Sequence, residues 1–101
     1  MQNPGIGKEE IRIAIVDDHT LFVDAISEVI EKERDLTVVG HAGDRMKAFD
    51  LARMSPHIIL LELNLGEESS LEFLPDLIRV AECARVLIVT AVTQTDRKSV
   101  V

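Results

Sequence analysis

Short apolar runs alternate with helix-like patterns along this 101-residue chain. Four runs have the length and the content of Val, Ile and Leu that are typical of strands buried on both faces. They are IRIAIV (11–16), LTVVGHA (36–42), HIILLEL (57–63) and RVLIVT (85–90). Between them, apolar residues recur at spacings of three and four, the period of a helix packed on one side. The alternation predicts repeated βα units and an α/β fold with an open, doubly wound parallel sheet.

The first two helices are predicted from their apolar spacing and their ends. One runs from about Thr20 to Glu33 and carries an apolar stripe that we expect to pack on the sheet. The stripe consists of Leu21, Phe22, Ala25, Ile26, Val29 and Ile30. Asp44 is placed to cap the second helix, which runs to about Met54, shortly before Pro56.

A polar loop, NLGEESS (64–70), follows the third run and leads into a third helix. Ser69 and Glu72 have capping-box spacing at its start. Pro75 lies several residues past that cap, where it would remove a helical hydrogen bond, and so predicts a kink or a late start. We expect four residues of this segment to face inward: Leu71, Leu74, Leu77 and Ile78. After the fourth run, TQTDRKSVV (93–101) opens a further helix.

Composition and charge narrow the class of protein. The hydrophobic fraction is 47%, with three Phe and no Trp or Tyr, so the core is built from Val, Ile, Leu and Ala, which suits a parallel sheet. A net charge of −7 argues against a nucleic-acid surface within these residues, because phosphate binding needs clustered Lys and Arg. A single cysteine, Cys83, excludes an internal disulfide and falls short of a zinc spacing.

The location of the protein is predicted from the same sequence. The apolar runs are too short to cross a bilayer, and the first residues, MQNPGIGKEE, have no signal-sequence layout. We therefore expect no membrane association and a cytoplasmic protein, with residues 1–10 as a flexible leader before a single domain.

Carboxylates follow two of the predicted strands, at the end where ligands collect in such sheets. Asp17 and Asp18 come directly after the first strand, Glu62 ends the third, and Thr90 ends the fourth. Carboxylates crowded at one edge repel, and a divalent cation, a lysine or a raised pKa would relieve the repulsion. Oxygen ligands favour Mg²⁺, to which the backbone carbonyl of Asn64 could contribute. The hydroxyl of Thr90 could then bond a phosphoryl oxygen held at the metal.

Four motifs occur in a fixed order: VDDH (16–19), VVGHAGD (38–44), the Pro-led third strand that ends LNL (63–65), and VLIVTA (86–91). With them the chain, from about residue 11 to its end, resembles the receiver domain of bacterial two-component response regulators, closest to the LuxR/NarL-type subgroup. The resemblance implies a receiver domain over 11–101 and a flavodoxin-like sheet of strand order 2-1-3-4. It also implies a signalling module that is not an enzyme, a sensor histidine kinase as partner, and DNA binding only through an output domain outside this chain.

The resemblance assigns roles to individual residues. Asp17 and Asp18 would bind Mg²⁺ together with position 62 and the Asn64 carbonyl, and Thr90 would be the switch hydroxyl. Position 62 is where the family places its phospho-accepting aspartate, and here it is glutamate. The extra methylene moves the carboxylate outward, and phosphoryl transfer depends on position at the ångström scale, so we expect phosphorylation to be impaired.

Two interpretations of Glu62 follow. Either the chain is a naturally atypical receiver, or the glutamate was introduced to mimic the phosphorylated state with a smaller charge than a phosphoryl group brings. We favour the atypical receiver, since GEES (66–69) also lacks the proline that the family commonly has at position 66.

The resemblance further implies a fifth strand, with a lysine that reaches the acidic site, and a fifth helix, neither of which we identify in the sequence. We therefore expect the chain to be part of a longer protein, Mg²⁺ binding to be weak or absent, and the fourth strand to form an open edge. Such an edge favours a homodimer, with exchange of strands or helices between copies as one route.

Other classes of protein fit the residues less well. A Mg²⁺-dependent aspartyl-type phosphatase needs a second acid two residues after its nucleophile, whereas VDDHT places its acids side by side. His19 itself is interpreted as a local polar residue rather than a ligand. A flavodoxin-like nucleotide-binding protein needs a phosphate loop after the first strand, and no such loop follows it. A purely structural dimerisation module would differ from a receiver in binding no Mg²⁺.

Overall fold

A computed structural model of the protein describes residues 10–90, which fold around one four-stranded parallel sheet. In chain order the main elements are β1 (Ile11–Val16), α1 (Thr20–Glu31), β2 (Leu36–Ala42), α2 (Arg45–Ala52), β3 (Ile58–Glu62), β4 (Asn64–Leu65), β5 (Glu68–Ser69), α3 (Leu74–Val80) and β6 (Arg85–Val89). The parallel sheet has the order β2-β1-β3-β6, and β4 pairs with β5 in a separate antiparallel hairpin. Because β6 is the fourth strand expected from the sequence, the predicted order 2-1-3-4 is confirmed.

Two buried clusters lie on opposite faces of the sheet. Side chains alternate along β1, so that Ile13 and Ile15 pack on the face covered by α1. Ala14 and Val16 belong to a larger cluster that includes residues of α2 and α3. Helices therefore cover both faces, as the prediction of a doubly wound α/β sheet requires.

The helix α1 turns a different face to the sheet from the one its apolar stripe predicted. Val23 and Ile30 are its buried residues, whereas Leu21 is 84% exposed and Val29 is 58% exposed. Phe22 and Ala25 are exposed as well, so the expected stripe is wrong at these four positions. Apolar residues spread over more than half of the helix circumference, and their spacing alone does not select which of two overlapping stripes faces inward.

The second helix is capped as its sequence indicates, and it ends at Ala52, shortly before the expected end near Met54. The side chain of Asp44 accepts a hydrogen bond from the backbone N–H of Lys47 at 2.8 Å, which confirms the predicted cap. Beyond the helix, Ser55 has a left-handed backbone with φ of 56°, a conformation common just after helix ends. Gly40 in β2 lets α2 approach closely, because a Cβ there would lie 2.8 Å from Cδ2 of Leu51.

The polar loop after β3 is more ordered than the sequence predicts. It forms the β4–β5 hairpin, with Gly66 in a left-handed conformation at the turn. Ser69 then caps a single 3₁₀ turn, Ser70–Glu72, by accepting a hydrogen bond from the N–H of Leu71 at 3.3 Å. The capping-box residues therefore start a 3₁₀ turn rather than the α-helix itself.

The helix α3 begins late and in a different rotation. It starts at Leu74, with Pro75 in its first turn, which confirms the predicted late start. Its fully buried residue is Leu77, whereas Leu71 and Ile78, which were expected to face inward, are 55% and 47% exposed. The late start changes which helical positions point to the sheet, and Phe73, just before the helix, fills the core instead.

Residues 1–9 and 91–101 lie outside the described part of the chain. Nearly all of the predicted leader, 1–10, and the helix predicted from residue 93 fall there. Across 10–90, none of the helices combines the length and the apolar character that a bilayer crossing needs.

Candidate functional site

The carboxyl ends of β1, β3 and β6 bring the predicted site residues to one edge of the sheet. Glu62 lies beside Val89 in the parallel register, while Asp17 follows β1 and Thr90 follows β6. One cavity of about 100 Å³ is lined by Asp17, Glu62, Val89 and Thr90, together with His19 and Phe22. The other two predicted ligands, Asp18 and Asn64, do not line it. A cavity of this size holds an ion with a few water molecules and is smaller than a typical nucleotide pocket.

The buried carboxylate of Asp17 is oriented by a residue two positions along the chain. Its Oδ1 atom accepts a hydrogen bond from the backbone N–H of His19 at 2.8 Å, and the ring Nδ1 of His19 also lies 2.8 Å away. Because a carboxylate accepts but does not donate, Nδ1 carries the hydrogen in this contact. His19 occupies the N-cap position of α1 but makes no side-chain capping hydrogen bond. Its polar groups instead contact the acidic edge, which consists of the carboxylates Asp17, Asp18 and Glu62 at the ends of β1 and β3.

The ionisation of His19 is tied to this edge. The hydrogen bond from its side chain to Asp17 raises the pKa of His19 above its ordinary value, and the negative charges of Asp17, Asp18 and Glu62 act in the same direction. The protonated imidazole therefore brings positive charge to a cluster of carboxylates.

Asp18 is the more exposed member of the acidic pair, with 33% of its side chain accessible. Its Oδ1 atom lies 3.4 Å from Nδ1 of His19, the same nitrogen that contacts Asp17. Its Oδ2 atom accepts a hydrogen bond from the backbone N–H of Gly66 at 2.9 Å. The turn of the β4–β5 hairpin is thus bonded to the acidic pair.

Glu62 is buried at the end of β3, with only 4% of the residue exposed. Its Oε2 atom accepts a hydrogen bond from the backbone N–H of Asn64 at 3.1 Å. The backbone carbonyl of Glu62 accepts a hydrogen bond from the hydroxyl of Ser70 at 2.8 Å, and Ser70 is itself fully buried. Both the carboxylate and the backbone carbonyl of Glu62 therefore accept hydrogen bonds from residues that follow it in the sequence.

A small set of these residues could hold a metal ion. Asp17, His19 and Glu62 each place one ligand atom within 4.8 Å of the others. Asp18, which was also predicted as a ligand, is not part of this group, although its Oδ1 atom lies 3.4 Å from Nδ1 of His19. The carboxylate oxygens fit a hard divalent cation such as Mg²⁺, because two buried carboxylates at this separation repel unless a positive charge lies near them. The nitrogen of His19 would widen the choice to transition metals.

The structure adds residues that the sequence did not point to. His19 bonds locally to Asp17, as expected, but it also belongs to the group of potential ligands, so the interpretation of it as a local polar residue alone is incomplete. Gly66 and Ser70 were not predicted to take part in the site. A glycine inside the polar loop was the only signal for the turn at residue 66, and a buried serine has no sequence signature.

Comparison with known proteins identifies a family of domains that this chain matches. The sequence profile of the family described as "Response regulator receiver domain" matches residues 13–101. The nitrate/nitrite response regulator protein NarP of Escherichia coli strain K12 is 38% identical over 80 residues, which cover 78% of this chain and 37% of NarP. A protein-glutamate methylesterase/protein-glutamine glutaminase of Cupriavidus metallidurans is 34% identical, over 84% of this chain and 24% of that enzyme.

A solved structure agrees with these relatives. The crystal structure of a LuxR-family two-component response regulator from Aurantimonas sp. SI85-9A1 superposes with a TM-score of 0.73 at 30% sequence identity. The superposition covers 85% of this chain and 61% of that one. The region similar to this chain is thus only part of each of these three proteins. The chain spans 37% of the length of NarP.

Proposed function

The chain belongs to the response regulator receiver domain family, and from this we propose that it is an atypical receiver in which Glu62 replaces the phosphorylatable aspartate. As a receiver domain of a two-component response regulator, it transmits a signal to an output domain. In this proposal Glu62 supplies a permanent negative charge at the position where the family is phosphorylated. Phosphorylation is impaired, and the state of the domain is set by other influences on the same edge.

The burial of the Glu62 carboxylate carries this proposal. Its Oε2 atom is held by the N–H of Asn64 at 3.1 Å, and the residue is 4% exposed, so the charge is fixed at the end of β3. Attack on a phosphodonor needs a carboxylate oxygen placed in line with the leaving group. A longer side chain bonded back to its own strand end is poorly placed for that attack.

We propose that the acidic edge binds a divalent cation, which in this family is Mg²⁺. Asp17, Asp18 and Glu62 would hold it with carboxylate oxygens, and the carbonyl of Asn64 would add a fourth oxygen. When bound, such a cation neutralises charge on phosphoryl oxygens. Binding is weak in this proposal, because His19 already donates to Asp17 and the N–H of Asn64 already occupies one oxygen of Glu62.

Thr90 is proposed as the residue that reports the state of the edge. It lies exposed at the end of β6 and lines the same cavity as Glu62. A hydroxyl at this place can move towards an acceptor oxygen in the cavity and take the following chain with it. This is a two-state switch biased at one edge of the sheet.

The whole protein is proposed to act in the cytoplasm as a transcription regulator. The similarity to NarP and to a LuxR-family regulator supports a DNA-binding output domain outside this chain and a sensor histidine kinase as partner. The receiver itself is proposed to catalyse no reaction of its own. We also propose a homodimer that involves the β6 side, where Leu87 and Ile88 are 53% and 45% exposed among the described residues.

Incubation with acetyl phosphate and Mg²⁺, followed by intact-mass measurement, tests the role of Glu62. We expect the Glu62→Asp variant to gain one phosphoryl group and the native protein to gain none, because only the shorter side chain has the geometry for attack. The Glu62→Gln variant, which has no carboxylate at this position, sets the background. Ready labelling of the native protein above that background would refute impaired phosphorylation.

A further inference from the structure

We propose that the backbone N–H of Gly66 is a positioning donor for the acidic edge, which holds the Oδ1 atom of Asp18 near Nδ1 of His19, the atom that also contacts Asp17. The inference rests on the cation site of the proposed function and adds a residue to it. Gly66 would touch no cation itself. It acts through Asp18, whose Oδ2 atom accepts the Gly66 hydrogen bond at 2.9 Å.

The distances around His19 show what this bond achieves. Nδ1 of His19 lies 2.8 Å from Oδ1 of Asp17 and 3.4 Å from Oδ1 of Asp18. One oxygen of each aspartate is thus directed at the same point, while the other oxygen of Asp18 is engaged by Gly66. The side chain of Asp18 is 33% exposed, so without this donor it is free to rotate towards solvent.

The turn that presents the donor favours glycine because of its backbone conformation, and not because a side chain would clash. Gly66 has a φ of 63°, a left-handed conformation that costs most residues energy. A Cβ at this position would meet nothing within 4 Å. Asparagine tolerates the left-handed conformation and keeps the N–H, whereas proline has no N–H and a fixed negative φ.

The rest of the hairpin holds this donor in place. Leu65 pairs with Glu68 across the turn, and the carboxylate of Glu68 accepts a hydrogen bond from Arg45 at the start of α2, at 2.9 Å. The guanidinium of Arg45 in turn lies over the ring of buried Phe73, 5.3 Å from its centroid. Gly66 is therefore presented by a turn that is tied to the body of the domain.

Donors that orient metal-binding carboxylates have large effects when removed. Loss of such a partner typically weakens metal binding by about 10- to 100-fold, because the ligand then pays the cost of ordering on each binding event. Asp18 is partly exposed, so we expect the lower end of this range, about tenfold.

Mg²⁺ affinity, measured by isothermal titration calorimetry on the whole protein, tests the inference. We expect Gly66→Pro to weaken binding by about tenfold and Gly66→Asn to leave it unchanged. A replacement of the Leu65–Gly66 amide by an ester removes the N–H and leaves every side chain in place, and it should weaken binding like proline even if the proline variant fails to fold. In an Asp18→Ala background, the ester should cause no additional loss, because Gly66 acts only through Asp18.

Two results would overturn the positioning role. One is native affinity in the ester variant, and the other is an equal loss caused by the ester with and without the Asp18 side chain. If the native protein binds no Mg²⁺, the proposed cation site fails, and hydrogen exchange then decides the remaining claim. Faster exchange of the Gly66 amide in Asp18→Ala would support the bond between Gly66 and Asp18, whereas unchanged exchange would overturn it.

Discussion

Removing the charge of Glu62 should make the cation-free protein more stable. The substitution Glu62→Gln keeps an oxygen that can accept the hydrogen bond from Asn64 and removes one of two buried carboxylates. Ligand atoms of Asp17 and Glu62 lie within 4.8 Å of each other. At an effective dielectric constant of about 20, two negative charges at that separation repel by roughly 3 kcal/mol.

Only part of this repulsion should appear as a change in stability. His19 donates to Asp17 and, when protonated, offsets some of the negative charge. We therefore expect Glu62→Gln to raise the free energy of unfolding by about 1–2 kcal/mol in buffer containing EDTA. A domain of this size gains about 4–8 °C in Tm for each kcal/mol, so thermal denaturation followed by circular dichroism resolves the effect.

Adding Mg²⁺ should reverse the order of the two proteins. A cation that binds only the folded state stabilises it by about 2.7 kcal/mol at a hundred times its Kd, and the native protein, with one more carboxylate, gains more than the variant. Glu67→Gln makes the same chemical change on an exposed turn residue and should alter stability by no more than about 0.5 kcal/mol. If Glu62→Gln in EDTA is no more stable than the native protein, the account of charge crowding at this edge is wrong.

Two neighbouring pairs of residues give further predictions. Ser70→Ala removes the buried donor to the carbonyl of Glu62 and should cost about 1–3 kcal/mol in urea denaturation, whereas Ser69→Ala, which loses only a 3.3 Å cap bond, should cost about 1 kcal/mol or less. Equal losses would contradict the bracing role of Ser70. Leu77→Ala should cost about 2–5 kcal/mol and Ile78→Ala less than half of that, because only Leu77 is fully buried. A larger loss for Ile78 would show that the expected inward face of α3 was right after all.

The strands were predictable from the apolar pattern and their order from the family resemblance, whereas the orientation of the helices was not predictable. Continuous apolar runs such as VLIV, separated by helical patterns, are compatible with few folds other than a parallel sheet with helices on both faces. In α1, by contrast, Leu21 and Val29 are as apolar as Val23, which is the residue that is buried. The rotation of a helix about its axis depends on the connection that precedes it. The hydrophobic periodicity of the sequence does not report the geometry of that connection.

The candidate site was predictable where it depends on strand ends. Asp17, Glu62 and Thr90 gather at one edge because parallel strands end together, a rule that needs only the strand boundaries. Gly66 reaches Asp18 across 48 positions of sequence, through a short hairpin inside a polar loop. Contacts of that kind depend on the folded path of a loop, which composition does not encode.

The two buried carboxylates of the acidic edge are held in the same way. Each accepts a hydrogen bond from the backbone N–H of the residue two positions later in the sequence. Asp17 takes the N–H of His19, and Glu62 takes the N–H of Asn64. Such three-residue units depend on neighbours in sequence, so they can form before distant segments assemble and can survive when the sheet loosens. A destabilising mutation in either of the two buried clusters should therefore lower the melting temperature of the domain, while these two hydrogen-bonded units stay formed in the folded protein.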